Sequence, residues 1–160
     1  MKRAMLMLMA VLMFSVSAWC QNAASIGRAV TQVDDFAYSK KMLTGDGFVL
    51  NQKQTTTTCL VYEWPKAKYA DEAMIVKIYK MPNSQKVEKC VILIGQKYLS
   101  HFGSQLREYG YSRTNPNGLS IEPFQELYED EKFAMGARIN KRGWYEATFF
   151  RWGRNVNVDD

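Results

Sequence analysis

The sequence predicts an α+β fold, an antiparallel sheet with helices packed on one face, and three observations carry that prediction. Residues 132–140 alternate Phe133, Met135, Ala137 and Ile139 with polar or small residues, turn at Lys141-Arg142-Gly143, and return as residues 144–152. A period of two closed by a glycine-bearing turn is a hairpin. In residues 96–109, Leu99, Phe102, Leu106 and Tyr109 recur at spacings of 3, 4 and 3, so they share one stripe of a helix that Gly110 ends. The first half supplies short runs of β-branched and aromatic residues bounded by Gly and Pro, as strands require.

The chain opens with Met1, Lys2 and Arg3, followed by an apolar run over 4–14 and the small residues Ser17 and Ala18. This is the layout of a secretory signal peptide, assigned to 1–20. The run is well short of the roughly 20 residues that a membrane-spanning helix needs. Cleavage after Ala18 and after Cys20 both fit. Acylation of Cys20 is the alternative, and Trp19 argues against it because the residue before a lipoprotein cysteine is normally small. Residues 21–160 then form a single α+β domain with no transmembrane segment after signal removal.

The remaining elements follow in order. Residues 31–43 read as a short helix with Val33, Phe36, Ala37 and Leu43 on one side, stopped by Thr44-Gly45-Asp46-Gly47. Residues 48–53, 55–64 and 73–81 read as strands, the second closed by Pro65. The stretch 86–95, KVEKCVILIG, fits a helix by the spacing of Val87, Val91 and Ile94. Its β-branched run and Gly95 favour a strand, paired with 73–81 through Pro82-Asn83-Ser84-Gln85. A loop at 115–118, a weaker strand at 120–129 and a fraying tail at 153–160 complete the reading.

This order suggests a duplicated helix-plus-four-strand unit, with repeats 28–95 and 96–153. Leu43, Gly47 and Phe48 return about 63 residues later as Leu106, Gly110 and Tyr111, and Tyr62-Glu63 parallels Tyr128-Glu129. Chance similarity of two α+β halves is the other reading. In layout alone the plan resembles the secreted β-lactamase-inhibitor proteins, which implies a sheet that presents a surface to a partner. No motif carries the resemblance, and layout does not license function.

Several chemistries find no support, and no catalytic, cofactor or metal residue is predicted. His101 is the only histidine, and no CxxC or HExxH accompanies it. Cys59 and Cys90 lie in apolar strand sequence, where a thiol is usually inert, and there is no G-x-S-x-G. Carboxylates at Asp71-Glu72 and at Glu126, Glu129, Asp130 and Glu131 read as solvated turns. Paired across a cleft they would instead serve a glycoside hydrolase. The formal charge of +5 is scattered, so nucleic acid is not an expected partner. Secretion favours a Cys59–Cys90 disulfide, but a meander would place a strand between them. Next-nearest strands stand roughly 9.6 Å apart, beyond the about 6.8 Å that a disulfide tolerates. Two buried thiols without a bridge are expected.

The aromatic residues are the remaining signal. Trp144, Phe150 and Trp152 fall on one face of the last strand, and Tyr62, Trp64 and Tyr79 would extend them. Such residues form either core or a binding surface. The leading expectation is a secreted or periplasmic, non-enzymatic binding or inhibitor-like domain that recognises a protein or envelope component through this face. The alternatives are a secreted hydrolase using carboxylates and an envelope structural protein lipid-anchored through Cys20.

Overall fold

The computed structural model describes residues 22–114 and 124–154. The expected signal peptide over 1–20, the expected loop at 115–118, the start of the expected strand at 120–129 and most of the tail lie outside the described residues.

Asn22 starts the first helix, α1 (Ala23–Val33), by accepting a hydrogen bond from the Ser25 amide at 3.1 Å. One side of α1 buries Ala23, Ala24, Ile26, Gly27, Val30 and Thr31. Asp34 then enters the left-handed region at φ 56°, and its amide donates to the Val30 carbonyl to close the helix. Asp35 returns to extended backbone and caps α2 (Phe36–Gly45) through the Tyr38 amide at 2.7 Å. The single helix expected over 31–43 is therefore two helices, because adjacent aspartates end one and begin the next. Asp tolerates the left-handed turn and satisfies orphan amides at a helix start.

Eight strands follow as one antiparallel sheet: β1 (Val49–Leu50), β2 (Cys59–Glu63), β3 (Met74–Lys80), β4 (Val87–Ile94), β5 (Ser112–Arg113), β6 (Glu126–Glu129), β7 (Phe133–Ile139) and β8 (Tyr145–Arg151). A 3-10 turn at Ala70–Glu72 precedes β3, and α3 (Gln96–Glu108) joins β4 to β5. The strand expected over 48–53 shortens to β1. Asn51 ends it by accepting hydrogen bonds from the Lys53 and Gln54 amides. The stretch 86–95 is a strand, as its β-branched run favoured, and lies in mid-sheet between β3 and β8. The two-residue β5 was not legible in the sequence.

The strand order is β1-β2-β3-β4-β8-β7-β6-β5, so the sheet reads alike from either edge. Val49 opposite Glu63 matches Ser112 opposite Glu129, and Tyr62 opposite Val76 matches Tyr128 opposite Met135. Further in, Val76 opposite Ile92 matches Met135 opposite Phe149. At the centre Ile92 faces Ala147 and Cys90 faces Phe149, which puts the pseudo-twofold axis through the Val91–Thr148 pair. The helix stops agree. The Phe48 amide donates to the Leu43 carbonyl and the Gly47 amide to Thr44; Tyr111 donates to Leu106 and Gly110 to Arg107. Gly47 and Gly110 take φ of +89° and +84° in these paired Schellman stops.

The three helices of the described residues pack against one sheet face, and none of them lies on the other. Helix α1 lies over β4 and β8, α2 over β3, and α3 beside α1. Phe102 and Leu106 are buried, and Leu99 and Tyr109 pack on the same core, as the stripe in 96–109 required. Phe102 meets Phe149 and Tyr145 edge-on. Cys59 and Cys90 form no bridge. They stand on β2 and β4 with β3 between them, Cys90 on the helix side and Cys59 on the other. Cys59 is half-buried rather than buried, since no helix of the described residues lies on its side of the sheet.

Candidate functional site

The structure divides the aromatic residues singled out in the sequence. Tyr62 is fully buried on the helix side, its hydroxyl donating to the Lys40 carbonyl at 3.3 Å. Trp64 is also in the helix-side core, its ring 5.2 Å from that of Phe48. Neither joins the other four. Tyr79 lies on the helix-free face with the Lys89 ammonium 4.5 Å above its ring. Phe150 is buried beneath Phe124, which stacks on it at 6.1 Å. Trp152, 45% exposed, leans edge-on against Phe150, and its indole donates to the Asp130 carbonyl. Trp144 precedes the opposite end of β8. Eight steps of chain at about 3.3 Å each separate Trp144 from Trp152, so they do not form one patch.

The helix-free face carries a different feature beside Trp144. The β7–β8 turn is built on Asn140, whose side-chain oxygen accepts hydrogen bonds from the Arg142 and Trp144 amides, both at 3.0 Å. Gly143 supplies the φ of +78° that the turn needs. The loop after β1, pinned by Asn51, brings Gln54 toward the same face. Between them is a groove of about 390 Å³, with Ile75, Lys77 and Leu93 beside Arg138 and Glu146. The Glu146 carboxylate accepts a hydrogen bond from Arg138 at 3.0 Å and one from the Asn140 amide at 3.4 Å. Both charged side chains of this pair are largely buried. Trp144 also lines a second, more apolar slot of about 530 Å³, with Ile94, Leu99, Ile139 and Tyr145. Burial and the Glu126 carboxylate beside it push the Tyr145 phenol upward, and its hydroxyl donates to Glu126 at 2.9 Å.

The opposite end of the sheet is tied by ion pairs. Asp34 accepts from Arg154 at 2.6 Å, from Arg151 at 3.0 Å and from the Val87 amide at 3.1 Å. Burial works to raise its carboxyl, and these partners outweigh it, holding the group below the usual carboxylate range. Asp130 is held low in the same way, against burial, by the Lys132 amide, Arg28 and the Phe133 amide. The Arg28 guanidinium pairs with Asp130 and lies 3.9 Å from the Phe133 ring centre. These contacts tie Asp34, at the end of α1, to the start of β4 and the end of β8, and Arg28 of α1 to the β6–β7 turn and the start of β7.

The groups considered for catalysis are dispersed. His101 is exposed on α3, and burial drives the Cys90 thiol strongly upward, away from a reactive thiolate. Glu72 binds Lys97 at 2.6 Å, Glu126 binds Arg113 and Tyr145, and Asp130 binds Arg28. Among the described residues no group of three or more His, Cys, Asp or Glu is placed to hold a metal ion. No helix of the described residues is long and apolar enough to cross a membrane. Comparison with protein families, with curated proteins and with solved structures gives no match. The groove residues Lys77, Arg138, Arg142 and Glu146 were not singled out from the sequence. Lys141-Arg142-Gly143 was legible only as a turn, and nothing local brings Lys77 beside it.

Proposed function

We propose that the chain is a secreted, non-enzymatic binding domain that engages a protein or envelope component through the helix-free face of its sheet. One observation carries this reading: the groove beside Trp144 opens on the face that no helix of the described residues covers, and Lys141 and Arg142 on its rim are exposed. Secretion rests on the charged start and apolar run of residues 1–20. Concave sites with a few fixed polar groups are where binding concentrates. The hydrolase reading is weaker, because Glu72, Glu126 and Asp130 each hold a cation of the chain's own. The matching registers of β1–β4 and β5–β8 support the further reading that the two halves are copies of one unit.

Site-specific photo-crosslinking in the source cells tests the binding face. A photoreactive residue at Arg142, on the groove rim, should give adducts of discrete mass. The same residue at Tyr38, exposed on α2, should not. Equal adducts from both positions, or none from either, would contradict the proposal.

A further inference from the structure

We infer that the groove selects an acidic polypeptide segment, one whose carboxylates lie next to a large apolar side chain that enters the slot behind Trp144. This rests on the binding reading above and names the partner's chemistry.

Charge is the first observation. Lys77, Arg138, Lys141 and Arg142 line the groove, and Glu146 is the one carboxylate among its described lining residues. Glu146 is already engaged by Arg138 and Asn140. Lys77 and Arg142 therefore bring positive charge to a groove whose described carboxylate already has partners of its own. Gln54 and Asn140 add amide groups to the lining. Arg142 stands on the exposed turn, where a rim charge steers an oppositely charged partner and sets the salt dependence of association. The buried Arg138–Glu146 pair fixes the floor, so an incoming carboxylate meets a surface that is already organised.

The adjoining slot is the second observation. Trp144 is a wall of both concavities, so a ligand in one is a side chain's length from the other. Ile94, Leu99 and Tyr145 form the apolar lining, and half-exposed Ile139 stands on the rim. The slot's one carboxylate, Asp71, is exposed to water. A recess of this kind receives a single apolar anchor, as interface hot spots do. Binding a bilayer calls instead for an apolar face that projects into the lipid. Ile94 is buried and Tyr145 and Leu99 are half-buried, so the apolar residues here are recessed, which favours a polypeptide over a membrane surface.

Binding of defined probes to the protein as secreted tests this assignment. The probes are a short glutamate peptide with two interspersed leucines, the same peptide with glutamine for glutamate, and vesicles of phosphatidylglycerol. The glutamate–leucine peptide should bind at least about tenfold more tightly than its glutamine counterpart, with affinity falling as salt rises. Arg142→Glu, in an exposed turn, should weaken it by about tenfold, and Ile139→Ser by several-fold. Trp152→Ala, at the far end of β8, should leave it unchanged, and circular dichroism and thermal melts confirm folding of each variant. Equal binding of the glutamine peptide, preference for the vesicles, indifference to Arg142→Glu, or no peptide binding would each overturn the inference. If position-specific adducts at Arg142 persist in that event, the binding face stands and only the partner's chemistry falls. Loss of both results would remove both readings.

Discussion

Two rows of side chains, one residue apart on the same strands, show how differently the two faces of this sheet are built. On the helix side, Tyr62, Val76, Ile92, Ala147 and Ala137 face one another across five strands, and all are fully buried. On the other side, the adjacent row runs through Val61, Lys77, Val91, Thr148 and Gly136. It mixes apolar, cationic and hydroxyl groups. Lys89, Glu146 and Thr148 on that face are nonetheless buried, without a helix above them. Neighbours in the same layer cover them: Lys89 lies against Tyr79, Arg138 against Glu146, and Phe124 over Phe150. Low exposure therefore means different things on the two faces. The helix side is shut between two layers, whereas the other side is covered by side chains of its own layer.

The largest contrast should come from adjacent phenylalanines of β8. Phe149, packed against Phe102 and Tyr111, has no exposure, and Phe149→Ala should cost about 4 kcal/mol in urea unfolding. Phe150→Ala should cost nearer 2 kcal/mol, since Phe150 keeps slight exposure and packs in a smaller cluster with Phe124, Leu127 and Ala134. Equal losses would mean that the helix-free face is as closed as the other.

The ion pairs that join α1 to the sheet come next. Asp34→Asn keeps a residue that tolerates the left-handed turn but leaves Arg154 largely buried without its carboxylate. The loss should be about 3 kcal/mol, at the low end for a buried pair because Arg151 keeps a third of its exposure. Asp34 and Asp130 are both held below the usual carboxylate range. Their contribution is fully present above about pH 4 and fades as pH falls through the lowered values. An acid-unfolding series should therefore show a shallower loss for Asp34→Asn than for the parent. Identical acid limbs would remove Asp34 from the account.

Helix α3, both Schellman stops, the β3–β4 pair and the last hairpin were legible because each depends on local spacing. Leu99, Phe102, Leu106 and Tyr109 mark their own stripe whatever they pack against, and Gly47 and Gly110 sit one residue before a buried aromatic ring. The break between α1 and α2 was not legible, since it turns on which of two adjacent aspartates closes a helix and which opens the next. The faces of Tyr62 and Trp64 were not legible either, because alternation assigns residues to two faces without saying which one the helices cover. The groove was hidden for a longer-range reason. Lys77 on β3 and Arg138 on β7 come close only because β4 pairs with β8, a contact between the two halves that no short window displays.

The smallest effect belongs to the groove rim. Arg142→Ala should change stability by less than about 0.5 kcal/mol, as at other exposed positions. A larger loss in thermal unfolding would make Arg142 a structural residue and weaken its assignment to contact with a partner.

The two faces are compared most directly by adding one methyl group to each. A Cβ on Gly27 of α1 would stand 2.3 Å from the Phe149 ring, and one on Gly136 of β7 would stand 2.3 Å from the Phe124 ring. Phe149 is held between α1, Phe102 and Tyr111, whereas Phe124 stacks on Phe150 on the face where no helix of the described residues lies. Paired urea unfolding of Gly27→Ala and Gly136→Ala should give a loss of about 2 kcal/mol or more for the first and a smaller one for the second. Equal losses, or a greater loss at Gly136, would contradict a sheet with one closed face and one face open to a partner.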